Sequence, residues 1–93
     1  MMITTATAAS PATGTILAID LGRYKSVACA YDRAATAARF HTLDSTRTDV
    51  TRLFTRHPGA VVVVEACANA GWVYDLAMAQ SLAVRVANTN GEA

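Results

Sequence analysis

The sequence lacks any excess of charge: eight Lys and Arg oppose seven Asp and Glu, for a formal net charge of +1. Without a basic surplus, composition gives no electrostatic signature of nucleic-acid binding, so such a function has to rest on motifs. The two cysteines, Cys29 and Cys67, form no CxxC pair and have no neighbouring pair of histidines. This spacing excludes a local zinc motif and indicates reduced thiols among apolar residues.

Targeting and membrane signals are also missing. The first 14 residues, MMITTATAASPATG, have no basic start and no long apolar core. No apolar run approaches the roughly 18 residues that a membrane helix needs. We therefore expect a cytoplasmic protein with no membrane partner, in which residues 1–14 form a disordered tail.

What the sequence does have is a hydrophobic content of 53% over 93 residues, enough for one small packed domain. Order is expected from Thr15, where TILAID is a short apolar run that ends on an acid. The predicted fold class is α/β, with a mixed sheet in the order β-β-β-α-β-α-β that resembles the ribonuclease-H-like fold. The strands are predicted at 15–20, 25–32, 37–43, 60–66 and 82–87, and the helices at 47–57 and 70–80.

Two carboxylates end the two most apolar segments: Asp20 ends TILAID and Glu65 ends VVVVE. A right-handed crossover through the 47–57 helix makes these strands parallel, so both acids reach the sheet edge where open α/β folds bind ligands. Paired carboxylates there favour a hard cation such as Mg²⁺ or Mn²⁺, which assists phosphoryl transfer. The alternative interpretation is that each acid only marks where its strand reaches water.

Three segments carry a family resemblance: LAIDLGRYKSVACAYD, VVVVEACANAGWVYDLA and LAVRVANTNGEA. Over residues 15–93 they resemble the N-terminal RuvC-like domain of DEDD-type insertion-sequence transposases, a family related to the Piv invertases. The resemblance implies that Asp20 and Glu65 are the first D and the E of the tetrad, at a two-metal Mg²⁺ or Mn²⁺ site acting on DNA. It implies DNA as a partner, with an element-encoded guide RNA in some members.

The sequence departs from the family pattern after its last predicted strand. The family carries its last two aspartates in a basic Lys-Thr-Asp-type segment, and the sequence reaches Ala93 without one. Asp75 falls in the second predicted helix and is not expected to substitute. We therefore interpret residues 15–93 as a partial transposase domain, and we expect no nuclease or strand-transfer activity from it alone.

Five further residues are weaker candidates for contacts with nucleic acid. Arg23, Tyr24 and Lys25 follow Asp20, and Asn88 and Asn90 lie at the end of the last strand. Lys and Arg would meet phosphates and Tyr would stack, although a solvated turn is an equally good interpretation for the first three.

Two other functions stay open. AIDLG, followed at a short distance by Ser26 and Val27, resembles the first phosphate loop of actin-like, chaperone and sugar-kinase ATPases, although Arg23 stands where these proteins have Thr or Ser. The second alternative is a non-catalytic remnant, or a module that binds DNA, RNA, a full-length transposase or a second copy of itself.

Overall fold

The computed structural model describes residues 2–7, 14–67 and 70–88, which form a small α/β domain. This part of the chain contains a mixed sheet of six strands and two helices. The strands are β1 Met2–Thr7, β2 Thr15–Asp20, β3 Lys25–Asp32, β4 Ala37–Asp44, β5 Val61–Glu65 and β6 Ala83–Asn88, and the helices are α1 Arg47–Arg56 and α2 Ala70–Ala79.

The two sides of β2 carry different kinds of strand pairing. On one side, β2, β3 and β4 form an antiparallel meander. On the other side, β5 runs parallel to β2 and β6 runs parallel to β5, each reached through a helix. The strand order is β1-β6-β5-β2-β3-β4. The predicted succession from Thr15 onward and the mixed sheet are therefore confirmed.

The N-terminal segment differs from the expected tail, because Met2–Thr7 forms an edge strand antiparallel to β6. The segment MITTAT contains one Ile and three Thr, β-branched residues that suit a strand. Its partner lies at the far end of the sequence, with Met2 opposite Asn88. A strand completed by so distant a partner has no local periodicity that would reveal it. Residues 8–13 of the predicted tail lie outside the described part.

Both helices pack on one face of the sheet, which we call the helix face. Alternate residues of the central strands point there, including Leu17 of β2 and Val62 and Val64 of β5, all almost fully buried. They meet Val50, Leu53 and Phe54 of α1, and Ala70, Val73 and Ala77 of α2. Neither helix in the described residues is long and apolar enough to cross a membrane.

The start of α1 is fixed by side chains. Thr46 is the N-cap and accepts a hydrogen bond from the Asp49 amide at 3.2 Å. The Asp49 carboxylate accepts in turn from the backbone N–H of Asp44 at 3.0 Å. In a complete capping box, the Asp49 side chain would accept from the backbone N–H of the cap residue, Thr46. Here it accepts from Asp44 instead, so the bond ties the helix to the end of β4.

The other face of the sheet, which we call the open face, carries the alternate set of strand residues. Its exposure is greatest over the meander, where Val27 is 40% and Phe40 is 72% exposed. No described helix packs on this face; the core cluster unites only helix-face residues with α1 and α2. Because Asp20 and Glu65 belong to the same alternate set, the candidate site lies on the open face.

Candidate metal site

The register of the two parallel strands brings the two candidate carboxylates together. Ile19 of β2 lies opposite Val64 of β5, and the next residue along each strand is Asp20 and Glu65. Both side chains are exposed, and neither forms an ion pair or side-chain hydrogen bond with another described residue. Adjacent strands lie about 4.8 Å apart, so these carboxylates can share one cation.

A single concavity contains both acids, and we call it the carboxylate hollow. Its volume is about 540 Å³. Apart from Asp20 and Glu65, its lining is apolar or lightly polar: Ala18, Ile19, Val27, Cys29, Phe40, Val63 and Ala87. Because the lining supplies no cation, the two negative charges are not neutralised within the hollow.

The turn after Asp20 is held by a network of hydrogen bonds that the sequence did not reveal. The Ser45 hydroxyl donates to the Gly22 carbonyl at 2.6 Å, and the Ser45 amide donates to the Tyr24 carbonyl at 2.8 Å. Ser26, which is 1% exposed, lies 2.6 Å from the Ser45 oxygen and accepts from the Gly22 amide at 3.3 Å. A hydroxyl has one proton, and Ser45 gives its proton to Gly22, so Ser26 donates to Ser45.

Gly22 is required in this turn by the close approach of the chain to itself. A Cβ atom added there would lie 2.1 Å from the backbone carbonyl oxygen of Lys25. Backbone atoms cannot yield as a flexible side chain can, so any larger residue has to deform the turn. Neither the contact of Gly22 with Lys25 nor the distant partner Ser45 has a local signature in the sequence.

The three predicted contact residues after Asp20 differ in their availability. Tyr24 is 73% exposed, and the Arg23 guanidinium carbon lies 5.3 Å from the centre of its ring. Lys25 forms an ion pair with Asp44 on the neighbouring strand. The Lys25 ammonium group also donates a hydrogen bond to the Asp44 carboxylate, and this bond and the charge of Asp44 raise the pKa of Lys25 above its ordinary value. Arg23 and Tyr24 can therefore meet a ligand directly, whereas Lys25 would have to leave its partner.

The asparagines predicted at the same edge are only partly described. Asn88 is the last residue of β6, directly after Ala87, which pairs with Glu65. Its backbone therefore ends beside the carboxylate hollow. Asn90 lies outside the described residues.

The site offers a hard divalent cation two carboxylate ligands, Asp20 and Glu65. Mg²⁺ keeps several waters and binds through one or two carboxylates together with substrate phosphates. Asp20 and Glu65 meet this minimum. Within residues 2–7, 14–67 and 70–88, no group of three or more His, Cys, Asp or Glu comes together. Asp75 lies in α2, on the helix side of the sheet, away from the hollow.

A second concavity, which we call the arginine groove, lies between β4 and α1. Its volume is about 440 Å³, and its lining includes Arg52, Arg56, Asp49, His41 and Phe40. Asp49 lies 3.7 Å from Arg52, whose side chain is 60% exposed. Arg56 forms no ion pair with any described residue. No sequence motif marks these arginines, because they occupy the solvent-facing positions of an ordinary amphipathic helix.

His57 caps the C-terminal end of α1, and its ring centre lies 6.0 Å from that of His41. Burial lowers the pKa of His57 below 6.5, and the nearby charges of His41 and Arg56 lower it further. Its Nδ1 atom is buried without a hydrogen-bond partner among the described residues. A neutral imidazole is therefore favoured, in place of the cation that would complement the helix dipole.

Comparison with protein-family models, curated proteins and solved structures found no match to this chain.

Proposed function

We propose that this chain supplies two carboxylate ligands of a metal-dependent phosphoryl-transfer site acting on DNA, in a ribonuclease-H-like domain of the DEDD transposase type. The observation that carries the proposal is the register of β2 and β5, in which Asp20 and Glu65 end neighbouring parallel strands. The antiparallel meander followed by two parallel crossovers supports the same fold assignment.

Asp20 and Glu65 would hold Mg²⁺ or Mn²⁺ through their carboxylate oxygens. When bound, such an ion polarises a phosphodiester and stabilises the attacking and leaving oxygens. The contribution of the protein itself is placement. Both β2 and β5 are paired on each side in the sheet, and the hydrogen bonds of Ser26 and Ser45 fix the turn that follows Asp20. Ligands on such rigid elements keep their geometry better than ligands on loops.

The alternative of an ATPase phosphate loop is less well supported by the same turn. A phosphate loop presents free backbone N–H groups to its ligand. The Gly22 amide already donates to Ser26, and its carbonyl accepts from Ser45. A phosphate bound by the Gly22 amide would have to displace Ser26, whereas metal binding at Asp20 and Glu65 leaves this hydrogen bond intact.

Direct metal binding tests the proposal. Titration of the protein with Mn²⁺, followed by electron paramagnetic resonance, should show one weak site that Mg²⁺ displaces. Asp20→Asn and Glu65→Gln should each weaken that site about tenfold or more, because each removes one of two charged ligands. Asp75→Asn is the matched control, since it removes an exposed carboxylate on the opposite side of the sheet.

The position of the ion can be tested independently of its affinity. Fe²⁺ bound at a Mg²⁺ site, treated with peroxide and ascorbate, cleaves the nearby backbone. We expect fragments ending near Asp20 and Glu65, suppressed by excess Mg²⁺ and absent from the Asp20→Asn variant. Equal Mn²⁺ binding by all three variants, or cleavage elsewhere in the chain, would contradict the proposal and favour a non-catalytic binding module.

A further inference from the structure

Phe40 connects the two concavities described above. It lines both the carboxylate hollow and the arginine groove. Its side chain is 72% exposed on β4, which is an edge strand of the sheet. A ring so exposed adds little to the core, and it is free to meet a ligand over most of its surface.

Only small side chains lie on the sheet between Phe40 and the carboxylates. Phe40 lies opposite Cys29 on β3, and Cys29 lies opposite Ala18 on β2. Both intervening side chains are small, so they leave the ring standing above the sheet. Two strand spacings of about 4.8 Å separate β4 from β2, so Phe40 lies about 10 Å from the strand that carries Asp20.

Positive charge lies beyond the edge strand β4, because α1 packs on the helix face and the arginine groove opens between α1 and β4. Arg52 and Arg56 are four residues apart on α1, which gives them the same helix face and a common opening into the arginine groove. Asp49 is the acid of this groove, and its carboxylate is already bound by the Asp44 amide and approached by Arg52. The guanidinium of Arg56 is left to meet an anion from outside.

We propose that Phe40 is a stacking position for an unpaired base, with Arg52 and Arg56 contacting phosphates where the strand passes round the edge of β4 into the arginine groove. The strand then continues over Cys29 and Ala18 toward Asp20 and Glu65. The substrate class rests on the proposed function, and the single-stranded form is the new element. An exposed aromatic ring beside arginines is the chemistry by which proteins hold single strands, because a base has a free face only outside a duplex.

Binding of a fluorescein-labelled 20-mer of thymidylate, measured by anisotropy in EDTA over a series of salt concentrations, tests this inference. Phe40→Ala should weaken binding about tenfold at every salt concentration and leave the salt dependence unchanged, because stacking releases no counterions. Arg52→Gln with Arg56→Gln should instead reduce the slope of log affinity against log salt by about 1.4, since each phosphate contact contributes about 0.7.

Arg33→Gln with Arg47→Gln is the matched control, because it removes two exposed arginines that line neither the hollow nor the groove. It should change the slope by less than the Arg52 and Arg56 pair does. All the substituted side chains are exposed, so circular dichroism should show that each variant folds.

Equal slopes for the two arginine pairs, unchanged affinity in Phe40→Ala, or tighter binding of a duplex of the same length would overturn the inference. So would a concentration-dependent dimer that only Phe40→Ala abolishes, because the ring would then serve self-association. The assay contains no metal, so its failure is distinguishable from failure of the proposed function. Loss of Mn²⁺ binding in Asp20→Asn could still be observed while Phe40 proved irrelevant.

Discussion

Replacing Asp20 by Asn should have opposite effects on stability without and with a divalent cation. In EDTA the two carboxylates at the ends of β2 and β5 repel each other, because the lining of the hollow provides no cation between them. Asn keeps the size and polarity of the side chain and removes one of the two charges. The variant should therefore be the more stable protein when no metal is present.

The magnitude follows from the strand spacing. Two unit charges about 5 Å apart in water interact by about 0.8 kcal/mol, and salt at physiological strength reduces this to roughly 0.5 kcal/mol. For a domain of this size, 1 kcal/mol corresponds to a shift in Tm of about 4–8 °C. The Asp20→Asn variant should then unfold about 2–4 °C above the wild type in EDTA.

A bound cation should make the wild type more stable than Asp20→Asn. At a Mg²⁺ concentration ten times the dissociation constant, binding to the native state alone adds about 1.4 kcal/mol, or about 6–11 °C. Asp20→Asn should gain much less, because it has lost one of two charged ligands. The melting temperatures of the two proteins, plotted against Mg²⁺ concentration, should therefore cross.

Thermal unfolding followed by circular dichroism, with Asp75→Asn as the control, measures this crossing. Asp75→Asn should respond to Mg²⁺ as the wild type does. Parallel curves for all three proteins would refute the reasoning, because they would mean that Asp20 and Glu65 are independent solvated acids. If Asp20→Asn raises the Tm in EDTA but Mg²⁺ changes the Tm of neither protein, the two carboxylates repel each other but do not form a metal site.

Two further substitutions test the surroundings of the site. Gly22→Ala should lower the free energy of unfolding by about 2–4 kcal/mol, because its Cβ would lie 2.1 Å from the Lys25 carbonyl oxygen, and urea unfolding would measure the loss. His57→Gln should flatten the pH dependence of stability. Burial, His41 and Arg56 lower the pKa of His57 in the folded state. The stability that neutral His57 contributes is therefore complete above pH 6.5, and it is lost as the pH falls through the lower folded-state pKa. Urea unfolding at pH 5, 6 and 7 should show a smaller loss at pH 5 in the variant, and identical curves would contradict a neutral, partly buried His57.

The sequence predicted the parts of the fold that depend on local patterns. TILAID and VVVVE are continuous apolar runs, which indicated buried central strands. Connection rules then made β2 and β5 parallel, so the adjacency of Asp20 and Glu65 follows from the sequence alone. The observed register bears out this placement.

The features that escaped prediction depend on partners far away in the chain. β1 exists because β6 offers it an edge about 80 residues later. Ser26 looked like an ordinary strand residue, yet it is buried because Ser45, 19 residues further on, completes its hydrogen bonds. Phe40 and Arg56 lie in separate elements that meet only when β4 and α1 fold against each other. A connection rule predicted the pairing of β2 with β5, but these other long-range contacts follow from no such rule.

Lys25 and Phe40 show how strand pairing decides which side chains lie near Asp20. Lys25 follows Asp20 closely in sequence, and a cation there looked suited to a phosphate. Pairing of β3 with β4 sets Lys25 opposite Asp44, whose carboxylate holds the ammonium group. The same pairing carries Phe40 to the rim of the carboxylate hollow. Sequence proximity to Asp20 is therefore a weaker guide to which side chains lie near it than strand register, because register decides which side chains share a face with the acid.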